Sequence, residues 1–314
     1  MNGPLNLAGK RVVVTGGGGF LGRHLVSALN ARGAVPLVPR RADVDLRDPS
    51  AALRWFRDQR PDACIHAAAV GGGIGFMRAH PAIACTDNLL LNTAVIEAAR
   101  VVGVQRYVGV SSACAYPVDP PQPMREEDIE AGAPEPTNGP YGYAKRIMLI
   151  QGAAYAAEYG FDCAFAVPTN LYGPWDDVAP ERSHLVAALL LRFEAAREAG
   201  APEVTCWGTG RATRDLLYAG DAAEAIVRLL ERGGGPAPVN LGSGIEHTVA
   251  QVATAVAAAV GYEGRLAWDT SKPDGMPRKV LDSQRAAARL EWRATTPIDV
   301  GLRELVAWYR AHAG

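Results

Sequence analysis

The sequence predicts an α/β fold, a doubly wound parallel sheet with a smaller C-terminal α/β region, and three observations carry that prediction. Short β-branched strand patterns and longer helical patterns follow one another along the 314 residues, the arrangement that builds parallel sheets. The first strand, Arg11-Val12-Val13-Val14-Thr15, ends abruptly in Gly16-Gly17-Gly18-Gly19-Phe20-Leu21-Gly22, and a helical pattern then runs to Arg32. The composition is 48% hydrophobic, enough for a large core, while no stretch approaches the ~18 apolar residues of a membrane span. Strand, glycine turn and helix in this order form a Rossmann-type context, because backbone amides and a helix N-terminus can approach a pyrophosphate. Gly16, Gly19 and Gly22, with Phe20 and Leu21 between them, are therefore the first cofactor-binding candidates.

This three-residue glycine interval resembles the extended branch of the short-chain dehydrogenase/reductase superfamily. The second strand, Ala34 to Val38, ends in Pro39-Arg40-Arg41 with no acid at its end. A carboxylate there would take a ribose 2′-hydroxyl, whereas a guanidinium can fork onto a 2′-phosphate, so Arg40 and Arg41 favour NADP over NAD. Asp43 and Asp45 follow, and in similar extended enzymes an acid after this loop lies near the adenine. The third strand, Ala63 to His66, runs into Ala67 and Ala68, small enough for close backbone approach to a cofactor, and the loop extends through Val70 to Gly75. His66 reads as a buried strand histidine. A helix over Pro81 to Val102 carries Asn88, which matches a structural Asn of the superfamily, and Asn92 one turn on.

The fourth strand, Gln105 to Val110, delivers Ser111-Ser112-Ala113-Cys114 at its C-terminal end, the edge where parallel sheets bind ligands. In extended backbone Cys114 shares a side with Ser112. A free thiol titrates near ~8.5, and nearby positive charge turns it into a competent base. The Pro-, Glu- and Asp-rich segment from Pro117 to Pro140 reads as a surface loop. Next comes Tyr141-Gly142-Tyr143-Ala144-Lys145 at a helix start, with Pro140 in the first turn and Thr137 and Asn138 as candidate caps. Tyr141 and Lys145 share a helix face, and the ammonium is expected to draw the phenol below its ordinary ~10. Ser112, with Ser111 as a possible substitute, would hydrogen-bond a substrate carbonyl while Tyr141 exchanges its proton.

Ser112-Ala113-Cys114-Ala115-Tyr116-Pro117, Glu135-Pro136-Thr137-Asn138, Pro168-Thr169-Asn170-Leu171-Tyr172-Gly173-Pro174, Ser183-His184, Trp207-Gly208-Thr209-Gly210 and Ser271-Lys272-Pro273-Asp274-Gly275-Met276-Pro277-Arg278-Lys279 together resemble the GDP-L-fucose synthases. The likeness spans nearly the whole chain. It implies Ser112, Tyr141 and Lys145 as the reduction triad, Cys114 as an epimerisation base and His184 as the opposing acid. Tyr141, Lys145 and His184 would also line the NADP(H). It implies substrate contacts from Asn170, Arg192, Trp207, Arg214 and Lys279, with Arg211 as an alternative anion contact. The substrate implied is GDP-4-keto-6-deoxy-D-mannose, converted to GDP-L-fucose by epimerisation at carbons 3 and 5 and reduction at carbon 4. One departure is that Gly17 and Gly18 stand where that family often carries His and Arg, which leaves Arg40 and Arg41 to discriminate the cofactor phosphate.

Two other readings stay open at this level: an epimerase or 4-ketoreductase of a related nucleotide-linked hexose or heptose, and a catalytically silent NADP-sensing interaction protein. Residues 1–170 would mainly bind NADP and residues 171–314 mainly the substrate, with some later segments returning to the first part. The formal charge of -1 and the absence of a basic block give no attraction to nucleic acid. Five scattered cysteines without a Cys-x-x-Cys pair argue against a disulfide framework and a zinc ribbon, and no metal is expected. Cys64, Cys163 and Cys206 read as small core residues. Met1-Asn2-Gly3-Pro4-Leu5 shows no secretory pattern, so a cytoplasmic protein is expected. The resemblance implies a homodimer paired through two long helices per subunit, Pro81 to Val102 and Tyr141 to Tyr159, and Ala153, Ala154, Ala156 and Ala157 on the second are small enough for close packing.

Overall fold

The computed structural model describes residues 3–179, 182–272 and 274–312; Met1, Asn2 and the motif's Pro273 lie outside them. β1 (Arg11–Thr15) leads into α1 (Phe20–Ala31), β2 (Val35–Leu37), α2 (Pro49–Gln59) and β3 (Ala63–His66). α3 (Ile74–Ala79), α4 (Pro81–Val102), β4 (Arg106–Val110), α5 (Gly139–Tyr159) and β5 (Cys163–Pro168) follow. The later part comprises β6 (Asn170–Tyr172), α6 (Leu185–Glu198), β7 (Glu203–Trp207), β8 (Thr213–Tyr218), α7 (Ala219–Arg232) and β9 (Pro238–Leu241). It ends with β10 (Glu246–Thr248), α8 (Val249–Val260), β11 (Arg265–Asp269), β12 (Arg278–Lys279), α9 (Gln284–Leu290) and α10 (Ile298–His312).

Six strands form a parallel sheet in the order β2-β1-β3-β4-β5-β9. Because successive strand residues face opposite sides, Val12 and Val14 enter one core cluster with Leu25 and Leu29 of α1 and Ile226 and Leu230 of α7. Val13 enters the other, with Phe56 of α2, Val95 of α4 and Met148 of α5. Both faces are thus covered, as a parallel sheet needs. A third cluster, containing Phe193, Val256 and Leu305, lies among the later helices and the small sheet β10-β8-β12. β9 returns from that later half to the edge of the main sheet beside β5.

The strand order reverses direction between β1 and β3, whose ends are level at Thr15 and His66, so the glycine turn and Ala67 open at the switch point where such sheets bind ligands. Three local readings are corrected. The run from Val70 to Gly75 is not wholly loop, since α3 begins at Ile74. The segment from Pro117 to Pro140 is more than a surface loop. It holds a short 3-10 helix, Glu126–Glu130, and buries Met124 and Ile129, while Glu126 Oε1 and Met124 O accept from Asn240 of β9 at 2.9 and 3.0 Å. At the start of α5, neither Thr137 nor Asn138 caps the helix with its side chain. Instead Glu135 accepts from Thr137 Oγ1 at 2.8 Å and Asn138 N at 3.1 Å.

Candidate active site

The glycine turn is shaped by close approach. Gly16 has φ +72°, and a Cβ on it would stand 2.8 Å from Ala68 Cα; at Gly22 a Cβ would stand 2.0 Å from Gly16 O. α1 begins at Gly19 with no side-chain cap and no acid in its first turn, so its first N–H groups point free toward the turn. Gly17 could not carry a side chain, because its Cβ would meet Val38 at 2.7 Å, whereas Gly18 faces open space. Arg23 Nε donates back to Gly18 O at 3.1 Å. Arg40 and Arg41 lie exposed beyond β2. Asp45 is committed to Arg47, which donates to its carboxylate in bonds of 2.7–3.2 Å and also donates to Asp87 at 2.8 Å.

A buried relay joins this turn to α5. Ala68 N donates to Thr15 Oγ1 at 3.2 Å, Thr15 O–H to His66 Nδ1 at 2.7 Å, His66 Nε2–H to Asn92 Oδ1 at 3.0 Å and Asn92 Nδ2 to Ala144 O at 3.1 Å. The direction is fixed because the Asn92 amide nitrogen is spent on Ala144. Burial, helped by Lys145, holds the His66 pKa down at about 3 against the Asn92 bond, so His66 is a neutral strut, as its strand position implied. Asn88 ties the loop at Val70 through both its amide atoms.

On α5, Lys145 is 2 % exposed, donates to Val110 O at 2.9 Å and lies 5.7 Å from the Tyr141 ring centroid. Burial brings its pKa down to about 8, with Cys114 opposing. Tyr141 moves opposite to expectation. Burial, then the neighbouring Cys114, push the phenol above its ordinary value, and a hydrogen bond from Ser112 only partly offsets them; the loss of water outweighs the pull expected of the ammonium. Ser111 donates to Lys145 O at 3.2 Å and so braces the helix, leaving Ser112 as the serine at Tyr141.

Cys114 lies in a 3-10 turn, Ala113–Ala115, capped by Ser112 Oγ accepting from Cys114 N at 3.1 Å. Its orientation therefore does not follow from strand alternation. What aims it is the packing of this turn on α5. Arg146 Nε and Nη2 donate to Ala115 O at 3.0 and 2.6 Å, and a Cβ at Gly142 would sit 2.3 Å from Cys114 O. Lys279 Nζ, from β12, stands 3.8 Å from Cys114 Sγ. His184 precedes α6 at its N-cap position without capping it through its side chain and is exposed. Crowding by protein atoms, then the Lys279 ammonium, lower its pKa, and Asp177 opposes them. The glycines after Val70 bridge these groups: a Cβ on Gly71 would touch the Tyr141 ring at 3.5 Å, and one on Gly73 would meet Ser183 O at 2.5 Å.

The remaining candidates fall into a second group. Arg192 donates to Thr205 O at 3.2 Å and stacks its guanidinium 5.3 Å from the ring of Trp207, which is 60 % exposed. Arg214 is already held by three carbonyls, Thr213 O and Met276 O at 2.7 Å and Asp274 O at 3.3 Å, and Asn170 donates to Asp215 O at 3.0 Å. Arg211 is exposed.

A sequence profile described as the NAD dependent epimerase/dehydratase family matches residues 12–242. This chain belongs to that family. Within it, the chain is 39% identical over 303 residues to the probable GDP-L-fucose synthase 1 of Oryza sativa subsp. japonica, covering 96% of this chain and 92% of that protein. It is 36% identical over 310 residues to the GDP-L-fucose synthase of Escherichia coli (strain K12), covering 96% of each. A crystal structure of a GDP-L-fucose synthetase from Naegleria fowleri bound to NADP superposes with a TM-score of 0.90 at 27% identity, over all of this chain and 98% of that one. A family dinucleotide fits the residues present. The Gly16 and Gly22 contacts leave no room for side chains in the turn, and the uncapped α1 start supplies donors for a pyrophosphate.

Several residues that shape this family member's site escaped the sequence reading. Thr15 and Arg146 act through backbone carbonyls and amides distant in sequence, and nothing local announces that. Asp176 is 4 % exposed; among the described residues its Oδ2 has no hydrogen-bond partner, and burial pushes its pKa up to about 7. Its only sequence signal was its place just after Gly173-Pro174. Among the described residues no group of His, Cys, Asp and Glu could hold a metal, and no helix is long and apolar enough to cross a membrane.

Proposed function

We propose that this chain is an NADP-dependent epimerase and reductase that converts GDP-4-keto-6-deoxy-D-mannose to GDP-L-fucose, working in the cytoplasm without nucleic acid or membrane partners. The observation that carries the reading is the meeting of two chemistries on one wall: Tyr141 with Ser112 and Lys145, and Cys114 against Lys279. The relatives named GDP-L-fucose synthase and the NADP-bound structural neighbour support it. Residues 1–170 mainly hold the cofactor through Gly16, Gly19, Phe20, Leu21, Gly22, Ala67 and Ala68, with Arg40 and Arg41 on its 2′-phosphate. Residues 171–314 mainly hold the sugar nucleotide, with Arg192 and Trp207 on its nucleotide end and Asn170 and Arg214 able to exchange a carbonyl contact for a ligand.

The substrate ketone acidifies the hydrogens on carbons 3 and 5. Cys114 takes each proton: an S–H bond forms, the C–H bond breaks, and its electron pair moves into an enolate whose oxygen is met by the Ser112 and Tyr141 hydroxyls. His184, as imidazolium, returns a proton to carbon from the other face, inverting each centre; between the two centres Cys114 gives its proton to solvent and His184 takes one up. Bound NADPH supplies the reducing equivalent to carbon 4. Tyr141 then gives its proton to the carbon-4 oxygen, a task suited to a phenol that burial keeps protonated, and the mostly protonated Lys145 stabilises the tyrosinate left behind.

Purified protein given the 4-keto sugar nucleotide and NADPH should consume the cofactor and yield the fully epimerised product by NMR. Cys114→Ser should lose epimerisation by at least about 10²-fold while retaining the fold. Full epimerisation by Cys114→Ser at the parent rate removes Cys114 from the role of base. Absence of NADPH oxidation with every nucleotide-linked 4-keto hexose or heptose would favour the silent sensor.

A further inference from the structure

We propose that Lys279 forms an ammonium–thiolate pair with Cys114 and is the positioning residue that keeps the epimerisation base charged and aimed; the inference rests on the reading of Cys114 as that base. Lys279 Nζ lies 3.8 Å from Cys114 Sγ although the two are 165 residues apart, and both ends of the contact are fixed. On the lysine side, β12 pairs with β8 at Arg278↔Thr213 and Lys279↔Arg214. Arg278 is clamped by Glu246 at 2.8–3.1 Å, and Val280 N donates to Gln122 Oε1 at 3.1 Å. The residues on either side of Lys279 are thus anchored, which lowers the entropy lost when its long side chain takes one direction. On the cysteine side, the Ser112 cap, the Arg146 bonds to Ala115 O and the bare Gly142 hold the turn.

The titratable groups whose fields meet Cys114 are Tyr141 and Lys145 on α5 and Lys279 on β12. Tyr141 is half-buried, and its raised pKa keeps it neutral. The Lys145 ammonium is turned to Val110 O. Lys279 has no carboxylate ion pair among the described residues, and its one hydrogen-bond contact there is the sulfur. The same ammonium acts on His184, where it adds to burial in disfavouring the charged form, so one cation lies close to both proton-transfer groups. A lysine kept only for the diphosphate would need no such contact with the thiol.

The test is the rate of Cys114 alkylation by iodoacetamide in the substrate-free protein, resolved by peptide mass spectrometry from about pH 5 to about pH 10. Lys279→Met should slow alkylation near neutral pH by about tenfold and move the half-maximal rate to higher pH by about one unit or more. Lys279→Arg should retain the parent profile. Lys279→Gln gives the same comparison if the Met variant does not fold, with thermal unfolding confirming the native state of each. An unchanged alkylation profile together with a raised KM for the sugar nucleotide would assign Lys279 to the diphosphate alone and overturn the pair. Alkylation is read without turnover, so a Cys114→Ser enzyme that still epimerises would refute the base assignment while leaving this result intact.

Discussion

Burial brings the Lys145 pKa down to about 8 from 10.5, with Cys114 opposing the fall, so the folded chain holds this proton less tightly than the unfolded chain does. Between those values the unfolded state binds more protons, and stability rises with pH across the window. The full span is worth about 3 kcal/mol. Wild type should therefore gain roughly that much unfolding free energy relative to Lys145→Met between pH ~8 and ~10.5, measured by urea denaturation at matched pH. Parallel stability curves would refute the strained ammonium. The variant should also lose most reductase activity, because its tyrosinate would have no cation. At this scale Tyr141, Lys145, Ser112 and Cys114 were legible because residue type and position after a strand or at a helix start limit what they can do. Illegible were the upward displacement of the Tyr141 phenol and the bracing of α5 by Ser111. Both depend on burial and on a carbonyl of α5 that spacing does not reveal.

The elements that sequence patterns marked most clearly are those with chemical punctuation at both ends. α4 runs from Pro81 to a left-handed Gly103, and α5 has Pro140 in its first turn and a left-handed Gly160 at its end, the asymmetry expected of helix termini. The buried strands were legible from their apolar runs. The 3-10 turn at Ala113–Ala115 was not, because an i to i+3 turn of small residues has no periodic signature. Gly142 explains that turn in hindsight: it is a glycine inside a helix, normally unfavourable, retained where a Cβ would strike Cys114 O at 2.3 Å. Gly142→Ala should cost about 1–3 kcal/mol in thermal unfolding and push the Cys114 turn off α5. Solvent deuterium exchange at carbons 3 and 5 should then fall by about 10²-fold. Exchange at the parent rate would show that the Cys114 turn needs no contact with this helix.

Across the whole molecule, a doubly wound parallel sheet was legible in the chain's alternation and a return of later segments to the first part was expected, but the strand order, the choice of β9 as the returning strand and the meeting of Lys279 with Cys114 are long-range events with no local signal. The expected homodimer lies between these extremes. α4 and α5 pack on each other and bury their inner faces, yet Ile83 and Leu90 on α4 and Tyr143, Ile147 and Ile150 on α5 are each more than two-fifths exposed. On α5 the spacing 143, 147, 150 follows one helical face and continues into the exposed Ala154. Such a stripe is costly in water, and we propose it as the face of the expected homodimer. Paired about a two-fold axis it would meet its own copy, giving a four-helix contact that braces α5, the helix that carries Tyr141 and Lys145. Light scattering at micromolar concentration should therefore give twice the chain mass. Ile147→Asp combined with Ile150→Asp should give the single-chain mass with unchanged circular dichroism and reduced turnover. A monomeric wild type would remove the interface, and a monomeric variant with full activity would show that α5 holds its catalytic pair without the second copy.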